Sequence, residues 1–229
     1  MDPLDRLALA ATGWVALHVL VSGSPLRGAL LRGLGERGFR ATFSLASLAS
    51  LSFLWTSFHG SPCAPLWVLP QAFGFLPLLV MPFALFLMAG AFSVPNPTAV
   101  GGESALGREQ PARGVLRITR HPFLWGVVVW SSAHLLVIGG RAASWFFGSL
   151  LVTALLGTRS IDRKRARSGG EAWRSYAKQT SNLPFAAIVS GRNRWVLSEL
   201  RMPLLLAFGL TLALLAVHSW LFGVSPIPV

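Results

Sequence analysis

The chain has 229 residues, of which 53% are apolar and only 12% charged, and its net charge is +12. A composition this apolar excludes an ordinary water-soluble domain, because runs of roughly 20 apolar residues cross the hydrocarbon layer as helices. The positive excess fits inner-leaflet loops rather than nucleic acid, since no basic stretch alternates with aromatics as in a single-strand binder. A single cysteine, Cys63, excludes an internal disulfide and any CxxC metal or redox motif.

The expected fold is an all-α integral membrane protein forming one domain over 1–229. It has six transmembrane helices, at about 4–23, 39–58, 66–92, 119–138, 142–158 and 202–222, with short interfacial and cytoplasmic helices. The first apolar run lacks a basic leader and a small-residue cleavage site, so it is expected to stay as a mature span. His18 lies in its later half. Ser24-Pro25 suits a helix cap and first turn. Residues 25–37 carry Arg27, Arg32 and Arg37 among leucines, as an interfacial helix does.

The second span is rich in Ser, Ala and Leu, which favours close helix approach, and His59 closes it. Pro70, Pro77 and Pro82 predict kinks along the third span. The polar stretch 93–118, with Gly101-Gly102 and Pro111, reads as a loop or lid rather than a packed domain. The fourth span runs from Thr119 to Ile138, and Gly139-Gly140 turns the chain. The fifth continues as a polar helix through Arg159, Asp162, Arg163, Lys164, Arg165 and Arg167 until Gly169-Gly170 breaks it. In the cytoplasmic helical segment 159–190, Glu171 to Gln179 forms a short helix. Its early Glu171 and late Lys178 match the helix dipole, and Trp173 and Tyr176 share a face. Leu183 to Ile188 is too short to span and dips into the interface.

Charge placement supports the count. Of the twenty Lys and Arg, four lie in 24–40, four in 93–122 and ten in 159–201. These alternate loops are therefore assigned to the cytoplasm, with both termini outside.

Apart from Asp5 at the very start of the first, Asp and Glu are absent from the six expected spans. That argues against a carboxylate proton relay and against a di-iron carboxylate bundle. The histidines remain. His18, His134 and His218 fall inside spans, where an imidazole needs a partner; His59 and His121 fall at span ends. A span-end residue such as His59 reads first as an interface residue, and the nine Trp as interfacial belt. An apolar bundle offering imidazoles and aromatics suits a metal held by nitrogen, above all heme.

The run Ile118-Thr119-Arg120-His121-Pro122-Phe123-Leu124-Trp125-Gly126, with Trp130, Ala133-His134-Leu135 and Gly139, resembles the NnrU family of bacterial membrane proteins. So do Ala172-Trp173-Arg174-Ser175-Tyr176 leading to Thr180-Ser181-Asn182-Leu183-Pro184-Phe185, the opening His18, and the closing His218 with Leu221 to Pro226. That family is similar to the plant and cyanobacterial 15-cis-zeta-carotene isomerase, a heme b membrane protein that isomerises a carotene double bond without net redox change. The resemblance implies a bacterial inner-membrane protein acting on an apolar substrate that enters from the lipid bilayer. It leaves room for a homo-oligomer or a redox partner. It makes His18 and His134 the axial ligands of heme iron, His134 and His121 the catalytic histidines, and His59 a fourth matching histidine. Arg120 with His121 suits a heme propionate. The family's link to nitrite and nitric oxide metabolism in denitrification also admits a non-enzymatic heme protein.

Depth arithmetic adds a rival. At about 1.5 Å per residue, His18 and His134 differ in height by roughly 12 Å, whereas axial nitrogens sit about 4 Å apart. His218 lies nearer the level of His134 and competes with His18 as its partner. His121 and His134 are roughly 20 Å apart along one helix, too far to share an iron. Arg-His-Pro followed by a Trp-x-x-Tyr segment is also similar to isoprenylcysteine-type membrane methyltransferases. Under that alternative, Arg120, His121, Arg174 and Tyr176 form an S-adenosylmethionine pocket with 93–118 as its lid. Those enzymes carry a paired Glu where this chain has Ile161-Asp162-Arg163.

Overall fold

A computed structural model of the chain describes residues 1–21 and 26–228. Among them every regular element is helical. The cap expected at Ser24-Pro25 lies outside the described residues. The elements are α1 (Pro3–Ala16), α2 (Leu26–His59), α3 (Leu76–Ser93), α4 (Pro122–Ile138), α5 (Arg141–Ser168), α6 (Gly170–Gln179), α7 (Ala186–Val189) and α8 (Arg201–Phe222). The Asp2 side chain caps α1 by accepting from the Leu4 N–H at 2.8 Å, and Pro3 fills the first turn, where no N–H is needed. A π-helical turn, Leu17–Val21, continues α1.

Among the described residues, four helical stretches are long and apolar enough to cross a membrane: Pro3–Val21, Leu26–His59, Gln71–Ser93 and Leu197–Phe222. Along the last of these, Met202, Leu204, Leu205, Phe208, Leu212 and Trp220 are exposed, the surface of a helix that faces lipid. The apolar helix α4 has 17 residues and falls short of that length, and the last turns of α5 are basic.

Several boundaries move from the sequence expectation. The interfacial helix and second span form one helical run, α2, broken at Gly35 rather than near residue 38; φ 67° and ψ 173° there suit a residue without Cβ. The third span begins late. Residues 66–70 are not helical, because the Leu66 and Trp67 N–H groups donate to the Gly139 carbonyl at 2.7 and 3.1 Å. Pro77 sits in the first turn of α3, so only Pro82 interrupts the helix interior. The fourth helix starts at Pro122 instead of Thr119, because residues 118–120 are engaged elsewhere.

The chain forms two compact units. The first comprises Met1–Pro70 and Ser131–Gly157. In it α1 packs on α2, and the Arg6 guanidinium donates to the Thr56 carbonyl at 3.2 Å. Phe58, Phe146 and Phe147 form an aromatic cluster with centroids 4.6–5.8 Å apart.

The second unit comprises Gln71–Trp130 and Thr158–Val229. Here α3 packs on α8, around a core that includes Leu85, Leu87, Val115, Leu116, Ile118 and Ala207. Gly126 lets α4 approach α3 closely: a Cβ there would lie 2.5 Å from Met88 Cγ and 2.8 Å from the Ala84 carbonyl. The stretch 93–118 is irregular chain, as a loop is, and its two ends join this core while residues 107–110 are exposed. Val115 and Leu116 are fully buried, and Asn96, Pro97 and Thr98 are buried as well. Apolar residues at the end of that polar stretch anchor it as packed irregular chain.

Candidate functional site

Residues 118–121 fold against 180–185 in the second unit. The Arg120 N–H donates to the Ser181 carbonyl at 2.9 Å, and the Phe185 N–H to the Ile118 carbonyl at 2.8 Å. The Thr119 hydroxyl donates to the Asn182 carbonyl at 2.6 Å. Phe185 is held at φ 66°, a conformation costly for a bulky side chain. Stacking on Phe83 and packing on Trp195 keep it there.

The hub of the site is Asp162, on the polar half of α5. Its Oδ1 accepts from Arg120 Nε at 2.8 Å and from His121 Nε2 at 2.7 Å. Its Oδ2 accepts from Arg120 Nη2 at 2.6 Å and from Asn182 Nδ2 at 3.0 Å. The Asn182 amide is oriented in turn by the Trp125 indole N–H, which donates to its Oδ1 at 3.3 Å. The Arg120 guanidinium also lies over the Trp173 ring, 5.8 Å from its centroid, and Trp173 packs on Tyr176.

Charge and burial set the protonation states. Burial acts upward on the Asp162 carboxyl, but hydrogen bonds from His121 and Arg120 outweigh it and hold the group well below the usual carboxylate range. His121 is held below its ordinary value chiefly by burial, which its bond to Asp162 only partly offsets. Burial pushes the Tyr176 hydroxyl far up. The site therefore holds an ionised Asp162, a neutral His121 and a neutral Tyr176. Because the carboxylate only accepts, His121 carries its proton on Nε2 and has a bare lone pair on Nδ1. His121 Nδ1 and Tyr176 Oη are both buried without a hydrogen-bond partner.

A second ionic lock sits beside it. Arg117 donates from Nε and Nη2 to Glu199 at 2.8 and 2.9 Å and from Nη1 to Asn193 at 2.9 Å, tying residue 117 to the entry of α8.

The residues singled out from sequence divide between the units. Arg120, His121 and Tyr176 come together as described. Arg174 does not join them: its side chain is 70% exposed and pairs with Glu171, one helical turn earlier. Its outward position removes one wall of the S-adenosylmethionine pocket. The Arg120 fork, expected to meet an anionic ligand, is already filled by Asp162.

In the first unit, His18 lies in the π-helical turn, a feature often found at functional sites. Its Nδ1–H donates to the Trp14 carbonyl at 2.9 Å, and its ring packs between Trp14 and Phe43. A carbonyl only accepts, so the proton is on Nδ1 and Nε2 offers a lone pair. This is the arrangement of a metal-ligating imidazole, and it fits an axial heme ligand. His134 stacks on Phe147 with centroids 5.2 Å apart. His59 packs on Trp55 and Phe58. In the second unit, His218 Nδ1 donates to the Val224 carbonyl at 2.9 Å, which likewise leaves Nε2 open. Among the described residues no three His, Cys, Asp or Glu side chains gather around a common metal position.

Asp162, Asn182 and Trp125 escaped the sequence reading as site residues. Asp162 carried the one available signal, an acid inside the basic run from Arg159 to Arg167.

Fold and site together define an all-helical protein, with four helices of membrane-spanning length among the described residues and a carboxylate–histidine–arginine cluster at the start of an apolar helix. The sequence matches the family described as NnrU protein over residues 6–226, and the chain belongs to the NnrU family. It is 34% identical over 203 residues to a protein named 15-cis-zeta-carotene isomerase, chloroplastic, of Arabidopsis thaliana, covering 84% of this chain and 54% of that protein. It is 33% identical over 165 residues to the protein of the same name from Zea mays, covering 70% of this chain and 44% of that one. The chain thus spans about half the length of the curated relatives it matches. No solved structure matches it.

Proposed function

We propose that this chain is a membrane-embedded cis–trans isomerase of a carotenoid such as 15-cis-zeta-carotene, with heme b held by His18 and His134. The observation that carries the reading is the 34% identity to 15-cis-zeta-carotene isomerase over 84% of this chain. The exposed apolar faces of the long helices support a hydrocarbon substrate arriving from the bilayer. In this reading the protein is a bacterial inner-membrane protein with six spans. Helix α4 and the apolar half of α5 supply the two beyond the four long helices, both termini lie outside, and the basic loops lie in the cytoplasm.

His18 and His134 have the donor chemistry the cofactor needs. The Trp14 carbonyl fixes the tautomer and ring orientation of His18 and leaves Nε2 for a metal. Trp14, Phe43 and Phe147 provide aromatic walls that keep water from the two imidazoles. When bound, heme b supplies an iron centre that interacts with the polyene and lowers the barrier to rotation about its cis double bond.

Optical spectra of the purified protein, oxidised and reduced, test the cofactor. A Soret band that shifts or disappears in His18→Ala, and not in His218→Ala, supports the pairing; an unchanged heme spectrum in His18→Ala overturns it. Chromatography of 15-cis-zeta-carotene incubated with the reduced protein tests the activity. Colourless protein that leaves the substrate unconverted refutes the proposal.

A further inference from the structure

Four observations converge on the Asp162 cluster, and a pure hydrocarbon substrate explains none of them. One carboxylate accepts four hydrogen bonds from three residues. The His121 side chain, 1% exposed, keeps a bare and unpartnered Nδ1. Tyr176, wholly buried, keeps an unpartnered hydroxyl beside Trp173, the ring over which Arg120 lies. The chain between α6 and α7 is strained at Phe185, three residues after the asparagine that shares the carboxylate.

Buried polar atoms are ordinarily satisfied, so an orphaned Nδ1 on a side chain only 1% exposed marks a place where something binds. The bare Nδ1 accepts and cannot donate, so its partner is an O–H or N–H donor, with water the smallest. An anion has no proton to offer there. The orientation of that lone pair depends on Asp162. Arg120 and Asn182 immobilise the carboxylate, and the carboxylate then fixes the His121 ring and its proton. Thr119 holds the backbone beneath it, since the His121 N–H donates to the Thr119 hydroxyl at 3.2 Å.

We propose that Asp162 is a positioning residue that locks His121 in the Nε2–H tautomer, making Nδ1 a buried acceptor for an O–H or N–H donor. Such a site gives the protein a polar ligand, water or a hydroxyl-bearing molecule, in addition to any carotenoid. Its link to turnover rests on the isomerase reading; the tautomer lock does not.

The experiment is ¹⁵N NMR on detergent-solubilised, [¹⁵N]histidine-labelled full chain, with the His121 signals identified by their loss in His121→Gln. The expected wild-type result is one neutral tautomer with the proton on Nε2 and an unprotonated Nδ1. Asp162→Asn is expected to give a mixture of tautomers, whereas Asn182→Ala, which spares the bond to His121, keeps the single form. A wild-type Nδ1–H tautomer overturns the proposal without recourse to any variant that fails to fold. So does an unchanged tautomer in folded Asp162→Asn. A donor at Nδ1 is read from the same signal: an unprotonated Nδ1 that accepts a hydrogen bond resonates upfield of a bare imidazole nitrogen, and an Nδ1 at the bare value overturns the ligand. If the isomerase reading also holds, Asp162→Asn slows turnover by about 10- to 100-fold, the usual effect of removing the group that orients a working histidine. A lock seen by NMR in a protein without isomerase activity sinks that reading and leaves the lock standing.

Discussion

Asp162→Ala removes the acceptor of four hydrogen bonds and leaves the Arg120 guanidinium facing a void. The two side chains are only 14% and 20% exposed, so water screens the pair poorly and cannot fully replace the lost partner. Removing one member of a well-buried pair typically costs about 3–5 kcal/mol. With some solvent access here, a loss of about 2–3 kcal/mol is expected. Most of it reflects a stranded cation rather than the net worth of the pair. The double variant Arg120→Met with Asp162→Leu, which removes both charges, should therefore recover at least about 1 kcal/mol relative to the single change. Equilibrium unfolding in mixed micelles, followed by tryptophan fluorescence, measures both quantities. A single variant within about 0.5 kcal/mol of wild type refutes the placement of Asp162 as the hub, and a double variant as unstable as the single refutes the stranded cation as the main cost.

Stability should fall on mild acidification. His121 is held below the unfolded value of about 6.5, so the unfolded chain binds that proton more readily. Its contribution is complete above about pH 6.5 and is lost as pH falls from there toward the folded value; unfolding curves at pH 7.5 and 5.5 should differ less in His121→Gln than in wild type. Asp162, with its depressed value, contributes above the unfolded carboxylate range near 4 and loses that contribution only in stronger acid, so the two windows separate. Gly126→Val places a side chain against Met88 and Ala84 and is expected to cost about 1–3 kcal/mol. Gly148→Ala meets nothing within 4 Å and should stabilise α5 by about 0.5–1 kcal/mol, so thermal melts of the two variants should move in opposite directions. Reporter fusions should place the segment from residue 159 to 201 in the cytoplasm, and an external signal there rules out the proposed topology.

Much of the helical outline was legible in the sequence because lipid imposes a one-dimensional rule: a spanning helix must be long and apolar, whatever its neighbours. The ends of α8 and α6, the polar continuation of α5 and the turn after Ile138 follow from apolar run length and from glycine placement. Where a boundary moved, a tertiary contact moved it. Residues 66–70 stay out of the helix because the Leu66 and Trp67 amides serve Gly139, and α4 begins at Pro122 because Ile118, Thr119 and Arg120 bond to the 181–185 segment.

The site divides in the same way. Sequence alone singled out Arg120 and His121, because a histidine beside an arginine at the head of an apolar helix is costly and therefore informative, while Tyr176 entered only through the resemblance to membrane methyltransferases. It also marked His18 and His134 as imidazoles without nearby acids. It left Asp162 as one acid in a basic run, and Arg174 as a pocket wall it does not form. Only the fold brings Asp162 to Arg120 and His121, some forty residues away in the chain. That meeting sets the ionisation of the carboxylate, the tautomer of the imidazole and the lone pair left without a partner. Hydropathy is a property of each segment and can be read in order; a hydrogen-bonded cluster is a property of distances across the chain, which come into being only when it folds.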